Sequence, residues 1–343
     1  MKILTHALAL SAFVFFSLAA QAQHSPAGVP PGTTLKTVSP IVINGKNNIV
    51  IRNVRISNPK GQCIQIQSAN NVLIENSEIG PCLYQGINVS GSSVVKVRNV
   101  YIHDTGKPAV ETHKSSGIEV YGSLMERSSK GVYATHSTKV VVAHNKFLNM
   151  NPKNQVYMGP SVQFHTIVGA GNRIHCNITD NVPGKSYPED IINMYRSQGT
   201  STDPIQIMGN KIRGGGPSTR GGGIVLGDSG GAYVLVKNNI LVNSGSQGVG
   251  VAGGHHMQVI NNLIYGRQQP WTGVGISVMD WNKLGCYSQT VKGNSVYWIY
   301  KTGFKNPGWN SGQCGAVTGW NQNTWNAPIG PSIWDLKISS CSM

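Results

Sequence analysis

The chain has 343 residues and carries 28 Lys and Arg side chains against 13 Asp and Glu, a net charge of +15. Unless this excess serves only solubility, it indicates an anionic partner: an acidic polysaccharide, a nucleic acid or a membrane surface. The basic residues are dispersed, and beyond the N-terminus neither a basic amphipathic helix nor an apolar stretch of membrane-spanning length is visible. Together with the export signal described next, these features exclude membrane and nucleic acid and favour an acidic polysaccharide.

The N-terminus has the features of a secretory signal. Lys2 provides a positive start, residues 8–18 form an apolar core, and Ala20-Gln21-Ala22 matches a cleavage site of small residues. We therefore expect residues 1–22 to be removed, and the mature protein of about 320 residues to be secreted or periplasmic. Residues 23–40 are rich in Pro and Thr and are predicted to be an extended lead-in.

Six cysteines follow the predicted signal, an even number that favours disulfide bonds in an exported chain. Proximity in the sequence suggests the pairs Cys63–Cys82 and Cys286–Cys314. No two cysteines have the C-x-x-C spacing that is typical of zinc sites, so the pattern argues against zinc.

A repeat of 23 residues organises the chain between residues 47 and 145. The segments NNIVIRNVRIS, NNVLIENSEI, SSVVKVRNVYI, SGIEVYGSLM and TKVVVAHNKFL align on Asn53, Asn76, Asn99, Gly122 and Asn145. A fixed period of this size is typical of a solenoid. Because Asn and Gly tolerate a left-handed backbone, these positions are predicted to be tight bends, with Asn side chains hydrogen-bonded between coils.

Each repeat contains three short runs in which apolar and polar residues alternate, the signal of half-buried strands. Stacking such coils in parallel, about 4.8 Å apart, gives an all-β solenoid. With its recurring Asn, the chain resembles the right-handed parallel β-helix proteins of the pectin-lyase-like fold. This resemblance covers residues 41–298 and implies a single-stranded right-handed β-helix of about ten coils over residues 41–300.

The repeat becomes irregular after residue 145. Further Asn positions, at steps of 32, 33, 29, 23 and 32 residues, are Asn177, Asn210, Asn239, Asn262 and Asn294. The long steps indicate inserted loops, which in repeat proteins gather on one face, often the binding face. Residues 301–343 break the repeat and contain four tryptophans. We expect this segment to cap the open end of the solenoid, with sugar stacking as the alternative role of its tryptophans.

In the proteins that the chain resembles, substrate lies along the strand that follows the longest loops. The alignment places that strand at residues 63–68, 86–91, 109–114, 131–136, 161–166, 191–196, 223–228, 248–253 and 275–280. Its outward side chains form three columns: Gln65, Asn88, Glu111, Tyr133, Gln163 and Asn193; His113, His165 and Tyr195; and Lys114, His136, Arg196, Asp228 and Asp280. Since neighbours in a column are about 5 Å apart, we expect a titratable patch beside the inserted loops 149–160, 180–190 and 213–222.

The first reaction that fits this patch is β-elimination on a uronic acid. It needs a base, a proton donor for the leaving oxygen, and positive charge on the carboxylate. We expect His165 and Tyr195 to be base and acid, in either order, and Arg196 to hold the carboxylate, with Lys114 or Arg220 as alternatives. Other expected substrate contacts are Glu111, His113, His136, Gln163 and Asn193.

The second reaction is inverting glycoside hydrolysis, which needs two carboxylates. Residues 188–195, PEDIINMY, resemble the paired-acid D-D-x-I segment of polygalacturonase-like hydrolases, with Glu189 and Asp190 matching the pair. Gly222 occupies the position of that family's G-H-G histidine, and its N-x-D acid has no match in residues 161–166. With one motif of three present, and Asp228 as the second acid, hydrolysis ranks behind elimination.

Other expectations concern ligands and the class of function. No cofactor is expected, and calcium could bind only at Glu189, Asp190 and Asp228. Trp271 is expected either to stack on a sugar at the cleft edge or to pack against the protein. A non-catalytic glycan-binding or adhesion β-helix is the alternative from a different class. Oligomeric state, sugar and linkage are not defined by the sequence.

Overall fold

The computed structural model describes residues 27–156 and 158–341, so the predicted signal peptide lies outside the described residues. Short strands wind into coils, and each strand pairs in parallel with the equivalent strands of the neighbouring coils. Within the described ranges no helix is long and apolar enough to cross a membrane. The short 3-10 helices are Trp320–Gln322, Pro331–Asp335 and Ser339–Cys341.

Three parallel sheets run along the solenoid. The first sheet consists of Ile41–Asn44, Ile64–Gln67, Ile87–Ser90, Val110–His113, Val132–Thr135, Val162–His165, Ile192–Gln198, the first part of Gly222–Lys237, Gln247–Val251, Val274–Val278 and Gly308–Asn310. The second consists of Asn47–Arg52, Asn70–Glu75, Ser93–Arg98, Ser116–Tyr121, Thr138–Ala143, Arg173–His175, Ile205–Met208, the second part of Gly222–Lys237, Gly254–Ile260, Cys286–Tyr287 and Thr290–Lys292.

The third sheet consists of Lys36–Val38, Val54–Asn58, Glu78–Cys82, Tyr101–His103, Leu124–Glu126, Lys146–Leu148, Ile178–Asp180, Lys211–Gly215, Ile240–Ser244, Leu263–Gly266, Ser295–Trp298 and Thr324–Trp325. Alternation along the strands sends one set of side chains inward, so that Ile64, Ile66, Val162 and Phe164 are fully buried. These residues belong to one hydrophobic core that extends from Ile43 to Cys314. The predicted all-β parallel solenoid is therefore confirmed.

The tight bends form a column of left-handed residues. Asn53, Asn76, Asn99 and Gly122 have φ of 54°, 48°, 52° and 59°, as the repeat predicts. The next bend is His144, with φ 56°, because Tyr121 pairs with Ala143 and the coil is one residue shorter. The predicted alignment of Asn145 with Gly122 is therefore wrong by one position.

The asparagine ladder is a separate, buried column directly after the bends. Its rungs are Ser77, Ser123, Asn145, Asn177, Asn210, Asn239, Asn262, Asn294 and Asn323. At a typical rung, Asn210 Oδ1 accepts hydrogen bonds from both the backbone N–H and the side-chain Nδ2 of Asn177, each at 3.0 Å. Asn76 does not take part, since its buried Oδ1 has no hydrogen-bond partner. Asn thus serves two adjacent positions, which the sequence alignment merged into one.

Three disulfides connect the six cysteines. Cys63–Cys82 and Cys286–Cys314 are the pairs suggested by proximity, and the third joins Cys176 to Cys341 across 165 residues. The C-terminal segment first supplies the strands Gly308–Asn310 and Thr324–Trp325 and then returns along the third sheet. There Ile333 packs with Ile240 and Val242.

Candidate functional site

A cleft of about 410 Å³ opens on the first sheet where the inserted loops rise above it. Each of the three predicted loops contributes to its lining, through Pro160, the adjacent pair Glu189 and Asp190, and the adjacent pair Arg220 and Gly221. Insertions in the coils have therefore gathered on one face and built walls beside the sheet.

The register of the first sheet reproduces the first predicted column from Gln65 to Asn193. It continues through three small residues and a tryptophan, namely Val225, Gly250, Ser277 and Trp309. In the second column His113 is followed by Thr135, His165, Tyr195 and Asp228.

Asp228 lies in a different column from the predicted one. Asn193 pairs with Val225, whereas Tyr195 pairs with Asp228, so the later coil contains one extra residue at a bulge. Gly227 takes up the bend with φ 65°. Asp228 is therefore the direct neighbour of Tyr195. Of the predicted third column, Lys114, His136 and Arg196 occupy left-handed bends at φ 47–49°.

Asn193 joins the two aspartates at the bottom of the cleft. Its Nδ2 donates to Asp190 Oδ2 at 2.7 Å and to Asp228 Oδ2 at 3.1 Å. The two oxygens can therefore be no more than 5.8 Å apart, the sum of these contacts. The geometry creates a fixed carboxylate pair that shares one amide.

Asp190 has the most perturbed acidity of the cleft residues. Burial raises its pKa to about 7. The hydrogen bonds from the Gly222 N–H (2.9 Å) and from Asn193 have the opposite effect, because they favour the ionised form. Burial also raises the pKa of Glu189, while the nearby Arg220 opposes that shift. The cleft thus contains one carboxyl group that is partly protonated at neutral pH.

A second titratable group, centred on His165, lies beside the cleft. The Tyr133 hydroxyl is 2.8 Å from His165 Nδ1, and the ring of His165 lies 4.6 Å from that of Tyr195. Burial, together with the positive charges of His136, Lys130 and Arg196, lowers the pKa of His165. Tyr195 lines the cleft, whereas His165 and Arg196 are outside its lining.

Lys130 is a buried residue that the sequence reasoning missed. Its Nζ donates to Gln163 Oε1 at 2.6 Å, and Gln163 Nε2 donates to Asn193 Oδ1 at 3.3 Å. Burial lowers the pKa of Lys130 to about 8, although Glu111 and Asp190 favour its charged form. A hydrogen-bonded chain therefore leads from Lys130 to the aspartates. Lys130 lies two residues before the inward-facing Val132, and Asp190 lies two residues before the inward-facing Ile192. A further column of outward side chains, placed two residues before the first inward residue of each strand, would therefore have included Lys130.

The remaining predicted residues are spread around the cleft. Glu111 accepts a 2.7 Å hydrogen bond from Gln85, and the rings of His113 and His136 lie 5.6 Å apart on the coils before the cleft. Arg196 lies over the ring of Tyr195 at 5.2 Å. Arg220 is exposed at the rim.

Trp271 is not part of the cleft lining. It packs directly on Gly216 of an inserted loop, where a Cβ atom would come within 2.3 Å of the indole, a contact of the kind expected under the packing alternative. Trp281, which follows the predicted strand 275–280, lines the cleft instead and is 57% exposed.

Metal ligation gains no support from the cleft carboxylates. In residues 27–156 and 158–341, no three His, Cys, Asp or Glu side chains are grouped as metal ligands. Both oxygens of Asp190 accept hydrogen bonds from the protein. Neither observation supports a calcium site in the cleft.

Comparisons with known proteins bear on the fold. Residues 39–187 match the family model described as a right handed beta helix region. A search of curated proteins finds no match.

Several solved structures are similar at low identity. The surface adhesin PfbA of Streptococcus pneumoniae is 14% identical, with 76% of this chain and 73% of that chain covered and a TM-score of 0.48. The catalytic unit of the GH87 α-1,3-glucanase from Streptomyces thermodiastaticus strain HF3-3 is 15% identical, with 77% of this chain and 52% of that chain covered and a TM-score of 0.47. DFA-IIIase from Arthrobacter chlorophenolicus A6 in complex with DFA-III is 12% identical, with 72% of this chain and 49% of that chain covered and a TM-score of 0.43. The chain spans about half the length of the two enzymes.

The internal repeat, the three parallel sheets and the match over residues 39–187 agree with one another. They show that the chain has the fold of a right-handed parallel β-helix.

Proposed function

We propose that the protein hydrolyses a glycosidic bond of a polysaccharide, with Asp190 and Asp228 as the reacting pair. The observation that carries this proposal is the cleft at the inserted loops, where Asn193 holds the two carboxyl groups next to each other. Glycoside hydrolysis needs two carboxyl groups, one protonated and one ionised. Because burial raises the pKa of Asp190 to about 7, Asp190 is suited to be the proton donor.

The chemical roles follow from these properties. Asp190 donates its proton to the glycosidic oxygen as the bond to the anomeric carbon breaks, and Asp228 acts at the anomeric carbon. The oxygen separation of at most 5.8 Å is nearer to the ~5–5.5 Å of retaining glycosidases than to the ~6.5–9.5 Å of inverting ones. We therefore propose a covalent intermediate on Asp228, later displaced by water, in place of the inversion implied by the polygalacturonase-like segment.

The charge of the cleft favours hydrolysis over elimination. Three carboxyl groups, those of Glu189, Asp190 and Asp228, line it together with one arginine, Arg220. Such surroundings repel a uronate and destabilise the negative charge that elimination develops at the carboxylate. The predicted ranking of the two reactions is reversed for this reason.

Elimination remains a second candidate because one specific contact favours it. The hydrogen bond between the Tyr133 hydroxyl and His165 Nδ1 orients the imidazole, and its lowered pKa keeps it neutral and able to accept a proton. Tyr195 would then be the proton donor, as predicted from the sequence. In this reading substrate lies over the coils before the cleft.

Export and an anionic polymer remain part of the proposal. Three disulfides fit an oxidising compartment. The net charge of +15 favours a polysaccharide that carries negative groups outside the acidic cleft.

The test is incubation of the purified protein with a panel of polysaccharides: polygalacturonate, alginate, xylan, laminarin, galactomannan and dextran. New reducing ends without ultraviolet absorbance of an unsaturated sugar are expected, and retention of the anomeric configuration is expected by proton NMR. Reducing ends together with that absorbance would establish elimination. Binding without either product would favour a glycan-binding protein.

A further inference from the structure

The lining of the cleft continues toward the C-terminal end of the solenoid. Beyond Asn193 the outward column of the first sheet consists of Val225, Gly250 and Ser277, and it then reaches Trp309. Val225, Gly250 and Ser277 line the cleft together with Gln247, whose Oε1 accepts a 2.6 Å hydrogen bond from the Ser277 hydroxyl. Trp309 lies on the coil directly after Ser277, next to the end of the cleft lining.

Two tryptophans on this side are exposed. Trp281 is 57% exposed at the cleft, and its backbone N–H donates to Ala252 O at 2.9 Å. Trp309 is 45% exposed on the strand Gly308–Asn310, which pairs with Val274–Val278. Both indoles are thus attached to ordered backbone.

The other tryptophans of this half have structural partners. Trp298 is fully buried, and Trp320 and Trp325 pack on the core with ring centroids 4.7 Å apart. Trp334 lies on the third sheet, 4.4 Å from the guanidinium of Arg213. Trp281 and Trp309 are therefore distinguished by exposure as well as by position.

The distance from the carboxylates to Trp309 corresponds to several sugars. Trp309 lies three coils beyond the coil of Asp228, about 14 Å along the axis at about 4.8 Å per coil. One pyranose unit in an extended polysaccharide takes up roughly one such step. Trp281 follows the strand Val274–Val278 and lies between the two ends.

We propose that Trp281 and Trp309 form stacking subsites for pyranose rings, so that the protein binds a polysaccharide chain of several sugars along this groove. Flat indole faces bind the apolar C–H face of a pyranose, and neither subsite requires a charged sugar. Where the scissile bond lies within this chain depends on the proposed hydrolysis, whereas binding by the two tryptophans does not.

A competing aromatic cluster on the second sheet does not offer such faces. Tyr233 stacks on His256, and His255 stacks on Tyr287, each pair at 4.8 Å. Each ring of a pair has one face covered by its partner, and none of the four rings is part of the cleft lining.

The experiment measures binding in a protein that cannot hydrolyse, the double variant Asp190→Asn/Asp228→Asn. Affinity electrophoresis in gels that contain laminarin, xylan, galactomannan, dextran or polygalacturonate should show retardation by at least one polymer. Trp281→Ala and Trp309→Ala, added singly, should each weaken binding about tenfold, while Trp309→Tyr should retain most of it. The affinity for a hexasaccharide of the retarding polymer should depend on Trp309, whereas the affinity for a disaccharide should not.

The matched control is Phe304→Ala. Phe304 is 55% exposed and stacks on Tyr300 at 4.7 Å, but it lies outside the strands of the first sheet. Its loss should leave binding unchanged. Full binding by both tryptophan variants, or no retardation by any of the five polymers, would overturn the proposal. Tryptophan-dependent binding by a wild-type protein that releases no reducing ends would overturn the proposed hydrolysis and leave the subsites in place.

Discussion

The coils before residue 145 and those after it join their neighbours in different ways. In the early coils serine rungs connect the turns, as where Ser123 Oγ accepts from the Val100 N–H at 3.1 Å. Surface ion pairs such as Arg55–Glu78 span one repeat. In the later coils buried asparagines replace the serines, and each one bonds to the next through both backbone and side chain.

The candidate site of this solenoid lies among its irregular coils. The regular coils repeat a similar turn, and the pocket along them is smaller, about 160 Å³ against about 410 Å³ for the cleft. The later coils accept insertions, and the loops ending at Pro160, Asp190 and Gly221 enclose the cleft. The asparagine ladder keeps the stacking continuous while the outer loops diverge, so scaffold and site can change independently.

The largest expected effect contrasts acidic residues of the two regions. Asp190→Asn and Asp228→Asn should each reduce turnover by roughly 10²–10⁴-fold, the usual contribution of a positioned acid or base. Glu119→Gln, on the second sheet of the early coils, should change turnover less than twofold. Turnover is measured as reducing ends released from the polysaccharide that the panel identifies.

The same assay separates the two reactions. Under elimination His165→Ala and Tyr195→Phe should be the inactive variants, and the aspartate variants should keep activity. Full activity in all four variants would show that the cleft is not the site.

The next largest effect concerns the ladder. Asn210→Ala leaves both the backbone N–H and the side-chain Nδ2 of Asn177 without their acceptor, so we expect a loss of about 3 kcal/mol in the free energy of unfolding. Ser123→Ala should cost about 1 kcal/mol, because only the Val100 N–H loses its acceptor. Denaturant unfolding measures both, and equal losses would contradict a distinct role for the ladder.

A smaller loss is expected at the bends. Asn76 has φ 48° and an unpartnered Oδ1, so Asn76→Ala removes no inter-coil hydrogen bond. It forces Ala into a left-handed backbone at about 1 kcal/mol, whereas Asn76→Gly should be nearly neutral. A thermal melt that shows Asn76→Gly to be as unstable as Asn76→Ala would contradict this account.

The raised pKa of Asp190 predicts how stability depends on pH. Burial raises this pKa from 3.8 to about 7 in the folded protein. As pH rises through this range, the unfolded chain loses the proton first, so the folded state becomes less stable. The melting temperature of Asp190→Asn relative to wild type should therefore increase from pH 4 to pH 7, and a constant difference would contradict the shift. Wild-type turnover should also fall above about pH 7, because the donor loses its proton.

The smallest expected effect concerns charge outside the cleft. If an anionic polysaccharide binds, its affinity should fall as salt rises, since exposed charges are screened beyond about 10 Å at 0.1 M salt. Lys114→Gln and Arg196→Gln should reduce that salt dependence modestly. Salt-independent binding would instead favour a neutral polymer held by stacking.

Several features were predictable from the sequence because they are local and periodic. Alternation of apolar and polar residues places Ile64 and Ile66 inward and Gln65 outward, and the 23-residue step stacks them on the next coil. The bends at Asn53, Asn76 and Asn99 follow from backbone preference alone. The catalytic assignments stay predictions, and the face proposed to carry them was chosen from the resemblance to β-helix proteins.

Only the tertiary structure decided the features that depend on packing between distant residues. The bulge at Gly227 moves Asp228 next to Tyr195, and a coil shorter by one residue makes His144 the bend in place of Asn145. Lys130 is buried with its Nζ on Gln163 of the next coil, and Cys341 pairs with Cys176 because the tail folds back. Periodicity records what each coil repeats, whereas a single inserted residue or loop changes register and burial without leaving a repeating signal.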